Sequence, residues 1–234
     1  VALAPGTQSN ALPLEVLGPT RRSLRTLRAL RRRMGRADIT IAHGSATLLA
    51  CAVTGRRFVY RQISDTTFWA AGWRRRLRVA AYLRRARHVV ALSPGAASDL
   101  SRHVWLEPER TTVVPNGVPT AAFLPPTAAE RQQARHRWGI SPEVFVVLFI
   151  GALVSEKSPD LVIRATAAAP GAHLLVAGAG PEEAALKRLA EQLGAPVNFL
   201  GVLDSTRGAY SAADVNVLPS RTESMPATLI EAGM

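Results

Sequence analysis

Cysteine is almost absent: Cys51 is the single one in 234 residues. A disulfide within the chain is excluded, and a reducing compartment is expected. Long apolar runs are missing too. The longest, Val144–Val154, has 11 residues, where a membrane-spanning helix needs about 20. No signal-peptide pattern is read in the first residues. There is no cysteine pair, no histidine pair at helical spacing and no Asp-x-Asp, so no metal is expected. A Ser-His-Asp arrangement is also missing, which weighs against hydrolase chemistry. Lysine is scarce, with two residues against 27 arginines.

Basic charge, by contrast, is abundant and unevenly spread. Residues 1–120 carry 20 arginines and six acidic residues, a balance of +14. Residues 121–234 carry nine basic and 11 acidic residues, a balance of −2. An anionic partner is therefore expected on the first half. Eight arginines fall in Arg21–Arg36 and seven in Arg74–Arg87. Leu24, Leu27, Leu30 and Met34 recur at helical spacing, and Leu77, Ala80, Ala81 and Leu83 form a similar inner side. Both segments are expected to be amphipathic helices with basic outer faces. They lack interleaved aromatics and any recognisable nucleic-acid-binding fold, so nucleic acid is not the expected partner.

The order of elements is legible from periodicity and turn residues. Strands are expected at Val1–Leu3, Leu14–Leu17, Ile39–Ala42, Arg57–Arg61, His88–Leu92 and Thr111–Val114. Helices are expected between them at 46–53 and 96–102, besides the two basic segments. Four prolines mark a linker from Pro115 to Pro126. A helix over Ala128–Trp138 then leads into strands at Phe145–Ile150, His173–Ala177, Val197–Leu200 and Val215–Leu218. Helices over 159–168, 182–193 and 205–212 separate them. This alternation implies an α/β fold of two Rossmann-like, doubly wound parallel sheets. The divisions are a first domain over 1–118, a Pro-rich hinge over 119–127 and a second domain over 128–234.

The closing stretch, Val215–Glu231, carries the sharpest signal. An apolar run stops at Pro219, a polar turn follows, and a helical pattern is read from near Glu223. A strand feeding a helix through a short turn presents backbone N–H groups to an anion. Glu223 and Glu231, eight apart, would lie on nearly one helical face. The stretch resembles the signature of retaining GT-B glycosyltransferases of family 4: Pro-Ser, then a Glu, seven residues, a second Glu and an Ala. The resemblance implies transfer of a sugar from a nucleotide-diphosphate donor. It places Glu223 at the donor sugar, Glu231 at the ribose, and Ser224, Met225 and Pro226 near the diphosphate.

Other segments fit the same resemblance. Gly151-Ala152-Leu153 with Lys157-Ser158 follows the family pattern Gly-Arg-Leu…Lys-Gly, with Ala152 replacing the arginine and Ser158 the glycine. Lys157 would neutralise the diphosphate. Gly178 and Gly180 match a Gly-x-Gly-Pro turn beside the donor, and Asn198–Val202 a base-reading segment ending in Val202. Pro115-Asn116-Gly117-Val118 resembles the family hinge. His43 in His43-Gly44-Ser45 resembles a turn on the acceptor side. Where many members carry a donor-facing His, this chain has none, and Arg61 or Asp65 lines the cleft instead. Catalytic roles are thus expected for Glu223, Lys157 and His43.

No cofactor is expected beyond the donor substrate, UDP- or GDP-linked. The acceptor would be lipid-linked or a polysaccharide precursor, and the arginine-rich helices would dock on an anionic membrane from the cytoplasmic side. Members of the family begin and continue beyond the ends seen here, so segments are expected to be missing at both. The missing arginine at 152 keeps open a non-catalytic nucleotide-sugar binder. A basic polyanion-binding protein is the reading from another class.

Overall fold

The computed structural model describes residues 2–3, 15–66 and 70–234. The chain divides into two compact units, Val1–Asn116 and Gly117–Met234.

The first unit holds a four-stranded parallel sheet of β1 (Ile41–His43), β2 (Val59–Arg61), β3 (His88–Ala91) and β4 (Thr111–Val113), paired in that order. Its helices are α1 (Leu24–Met34), α2 (Ser45–Val53), α3 (Trp73–Leu83) and α4 (Pro94–Val104). The Ser23 side chain caps α1 by accepting from the Thr26 N–H, and Ser93 caps α4 by accepting from the Ala96 N–H, as serine does at helix starts. Tyr60, Val89, Ala91, Leu48, Leu83 and Leu100 centre the core. Of the first expected strand pair, only Ala2 and Val16 form an isolated parallel bridge; Val1, Leu14 and Thr67–Trp69 lie outside the described residues.

Two expected inner faces need correction. In α1, Leu30 and Met34 are buried, but Leu24 is 70% exposed and Thr26 takes the inner place. The Thr26 hydroxyl donates to the Thr20 carbonyl, which satisfies it there. In α3, Val79, Ala80 and Leu83 are buried, while Leu77 and Ala81 face solvent with the arginines.

The second unit carries β5 (Phe145–Ile150), β6 (Ala172–Ala177), β7 (Val197–Gly201) and β8 (Val215–Asn216), all parallel in the order β7-β6-β5-β8. Its helices are α5 (Ala128–Arg137), α6 (Pro159–Ala167), α7 (Glu183–Leu193), α8 (Arg207–Ala212) and α9 (Ala227–Ala232). Helices cover both faces, so β5 and β6 are nearly continuous apolar runs. Phe149, Leu174 and Val176 pack with Val162 and Ile163 of α6 and Leu186 of α7. Val146, Leu148 and Leu175 pack with Ala134 of α5 and Ala209 and Ala212 of α8.

An ionic hub fixes the start of β8. Asp214 accepts from Arg131, from Arg135 Nη2 at 2.7 Å and from the Val146 N–H at 2.7 Å. The Arg135 side chain is only 4% exposed. It also donates to the carbonyls of Ala212, Val144 and Pro142. Residues 119–127, read as a hinge, pack on α8. Arg207 donates to the Ala122 and Leu124 carbonyls, and the Phe123 ring meets Tyr210 edge to face at 5.8 Å.

The signature helix is shorter than expected. It opens at Ala227 rather than near Glu223, with Pro226 as its N-cap in extended backbone. A residue before proline is driven out of the α region, so Met225 cannot carry the helix back toward Glu223. Glu223 therefore lies in the turn, and the two glutamates do not share a helical face. The six-residue α9 is too short to be an anion site by its dipole alone.

Candidate functional site at the edge of the second sheet

In an open parallel sheet, the loops leaving the carboxyl ends of the strands form the ligand-binding edge. Gly151 follows β5, Gly178 and Gly180 follow β6, Val202 follows β7, and Glu223, Ser224, Met225 and Pro226 follow β8. All of these expected residues sit at one edge of one sheet.

Backbone hydrogen bonds join the loops into one surface. Gly151 N–H donates to Ala177 O at 3.0 Å, Leu153 N–H to Ala179 O at 3.1 Å, and Gly178 N–H to Gly201 O at 2.7 Å. This close packing explains the two glycines. A Cβ on Gly178 would lie 1.9 Å from the Gly151 carbonyl oxygen, and one on Gly180 would lie 2.3 Å from that of Leu153. Gly178 also has φ of 138°, which favours glycine. The Gly-x-Gly turn is thus demanded by the loop against which it packs.

Lys157 ends a 3₁₀ turn over Ser155–Lys157. The next residue, Ser158, is left-handed at φ 49° and ψ 47° and is buried. That backbone suits glycine, the residue the family pattern has here. Ser158 keeps its hydroxyl satisfied on the Ser155 carbonyl, and Pro159 then starts α6. The Arg221 N–H donates to the Glu156 carbonyl at 2.9 Å, which ties the turn after β8 to the Lys157 turn. Lys157 Nζ consequently meets Glu223 Oε1 at 2.5 Å. Their side chains are 24% and 27% exposed. Ala152 places no charge beside them. The Ser220 and Ser224 hydroxyls, on either side of Glu223, are buried without hydrogen-bond partners.

Glu231 belongs to a second cluster. Its Oε2 accepts from the Tyr210 hydroxyl at 2.8 Å, and the Thr228 carbonyl lies 3.0 Å from the same hydroxyl. Burial, and then the Glu231 carboxylate, push the Tyr210 phenol far above its ordinary range. A cleft of about 330 Å³ touches Tyr210, Asn216, Glu231, Arg207 and Phe123. The sequence reading missed Tyr210. Only the fold brings α8 against α9, although the spacing of Tyr210 from the following strand is visible in the chain.

In the first unit, His43 ends β1 opposite Arg61 of β2. Burial, and then the Arg61 charge, lower the His43 pKa. Cys51 is buried and its thiol is pushed up to about 11, so it is no nucleophile. Among the described residues, no group of three or more His, Cys, Asp or Glu is placed to hold a metal ion.

Comparison with known proteins decides the family. The model described as Glycosyltransferase Family 4 matches residues 4–122, and that described as Glycosyl transferases group 1 matches residues 130–234. The chain belongs to glycosyltransferase family 4. It is 38% identical to the D-inositol 3-phosphate glycosyltransferase of Mycobacterium ulcerans over 136 residues, covering 54% of this chain and 28% of that protein. It is 34% identical to D-inositol 3-phosphate glycosyltransferase 2 of Catenulispora acidiphila over 164 residues, covering 63% and 38%. The chain thus spans roughly a third of the length of these relatives. Among solved structures, it is similar to Anabaena HepE in complex with UDP-glucose. The TM-score is 0.81 at 19% identity, covering 94% of this chain and 64% of that one. It is also similar to WaaG, a glycosyltransferase involved in lipopolysaccharide biosynthesis, with TM-score 0.72 at 20% identity, covering 97% and 67%. The fold is that of the GT-B glycosyltransferases.

Proposed function

We propose that this family 4 chain transfers a sugar from a UDP- or GDP-linked donor to an acceptor with retention of configuration. The observation that carries the reading is the meeting of Lys157 and Glu223. They are 66 residues apart in sequence and come together at the ligand-binding edge of the sheet. Donor binding exchanges that ion pair for two ligand contacts. Lys157 takes the diphosphate and meets the charge that develops as the phosphate leaves. Glu223 takes a hydroxyl of the donor sugar. Backbone and hydroxyl groups of Ser224–Pro226 lie along the phosphates, Gly151, Gly178 and Gly180 let backbone approach the donor, and Val202 borders the base. Glu231, oriented by Tyr210, receives the ribose hydroxyls. His43 serves the acceptor side, and no metal or cofactor takes part. The UDP-glucose in HepE and the inositol phosphate named for the curated relatives support a nucleotide-sugar donor and a polyol acceptor.

The basic face adds a location. Leu24, Trp73 and Leu77 are exposed among the arginines of α1 and α3, a mixture that suits an anionic bilayer surface. The chain then works at the cytoplasmic face of a membrane, on a lipid-linked or polysaccharide-precursor acceptor. Cosedimentation with vesicles containing anionic lipid, lost above about 0.3 M salt by screening, is the expected result; equal binding to neutral vesicles contradicts it.

The test of transfer is donor hydrolysis without acceptor. NMR follows the first anomer released from UDP-α-glucose and GDP-α-mannose. The α anomer appears first if the reaction retains configuration, and the β anomer first refutes retention. Ala152 favours a second reading, a nucleotide-sugar binder without turnover. Bound nucleotide with no release of sugar supports that one.

A further inference from the structure

The carboxyl edge of the first sheet holds a cationic group with spare hydrogen-bonding capacity. Arg61 ends β2, and its Nη2 donates to Asn116 Oδ1 at 2.9 Å. Its Nε is buried and has no hydrogen-bond partner. A guanidinium offers its donors in a rigid planar fork matched to phosphate and carboxylate. One prong here is fixed by Asn116, and a buried donor left open is costly until an acceptor oxygen reaches it.

The surroundings suit an oxyanion. His43 is the register partner of Arg61 across β1 and β2. Its lowered pKa leaves a neutral imidazole at neutral pH, which can hydrogen-bond without adding a competing cation. β3, the neighbour of β2, leads directly into the 11-residue α4 with its Ser93 cap. The positive end of that helix therefore lies at the same sheet edge. The residues up to 120 carry the +14 balance, which favours anions around that unit.

We propose that Arg61, held by Asn116 and flanked by His43, binds an oxyanion carried by the acceptor, a phosphate or a carboxylate on a polyol or sugar. This rests on the reading that the first unit receives the acceptor. The site selects among acceptors and takes no part in holding the nucleotide.

The experiment uses the full chain labelled with ¹⁵N-arginine and ¹³C-histidine. The Arg61 Nε–H and His43 Cε1–H signals are followed during titration with inorganic phosphate, acetate and chloride at constant ionic strength. A saturable shift with phosphate or acetate at millimolar concentration, and none with chloride, is expected. The stronger of the two anions names the acceptor group. Arg61→Gln should abolish the His43 response, and Arg61→Lys should weaken it at least fivefold, because an ammonium lacks the fork. Shifts that are linear and alike for all three ions, or a His43 response that survives Arg61→Gln, overturn the proposal. UDP and GDP titrations of Arg61→Gln serve as the control. Nucleotide binding that persists in Arg61→Gln is expected; in the unaltered chain, nucleotide binding without any anion response overturns this inference alone. Failure of nucleotide binding in the unaltered chain strikes the donor reading instead.

Discussion

Asp214 is the best place to test how the second sheet is held. Substituting it by alanine leaves the Arg135 guanidinium, 4% exposed, without its counter-charge. Breaking a buried pair by removing one partner costs about 3–5 kcal/mol. Arg135 keeps its three carbonyl acceptors, and Asp214 itself is 26% exposed. Both facts argue for the lower end, about 3 kcal/mol. The Val146 N–H also loses its acceptor. A domain of this kind has about 5–15 kcal/mol in all, so the second unit should be visibly weakened while the first is not. Urea unfolding followed by ¹⁹F on Trp138, the one tryptophan of the second unit, reports the right half. The pH dependence supplies an internal check. Burial, the largest single influence, raises the Asp214 pKa, but the Val146 N–H and the arginines outweigh it, so the net shift is downward. A depressed carboxylate stabilises above its unfolded value of about 3.9 and stops doing so as pH falls through the folded value. The gap between the native chain and Asp214→Asn should therefore be constant from about pH 8 to pH 5 and close only below about pH 4. A loss under about 1 kcal/mol, or a gap that closes near neutrality, refutes the hub as drawn.

Three further outcomes follow from the site. Gly178→Ala forces a Cβ against the Gly151 carbonyl and should cost at least about 2 kcal/mol in the same urea assay; a neutral effect would show the loops yield freely. Ser158→Gly removes left-handed strain and should raise stability by about 0.5–1 kcal/mol, whereas a loss would give the Ser158–Ser155 hydrogen bond the greater weight. Tyr210→Phe should weaken nucleotide binding by about 3–10-fold through the freed Glu231 carboxylate, since one hydrogen bond is worth about 1 kcal/mol, with Glu231→Ala weaker still; unchanged calorimetric affinity in both would remove Glu231 from the site.

Much of the architecture was legible because each sheet is parallel and the central strands of the second are buried on both faces. Runs such as Phe145–Ile150 then stand out between polar helices, and turn glycines mark their ends. The Lys157 and Glu223 positions were legible as motif fragments, but their contact was not, because it depends on a backbone bond between Arg221 and Glu156. The start of the last helix was misread from an apolar periodicity that Pro226 overrides. The inner faces of α1 and α3 were misjudged for a related reason. Spacing alone cannot tell Leu24 or Leu77 from core leucines when arginines surround them, and buried Thr26 gives no apolar signal. Gly178 and Gly180 were legible as a turn, but the loop packing that demands glycine there, against the Gly151 and Leu153 carbonyls, was not.

The most direct test of the central claim, a nucleotide site at the carboxyl edge of the second sheet, is calorimetry with UDP, GDP and the free nucleosides. The prediction is that one diphosphate binds and its nucleoside binds more weakly. Lys157→Ala should lower affinity for the diphosphate by about 10–150-fold, the worth of a charged hydrogen bond of about 1.5–3 kcal/mol, and leave the nucleoside unaffected. Diphosphate binding that is indifferent to Lys157, or no binding of either diphosphate at millimolar concentration, contradicts the account.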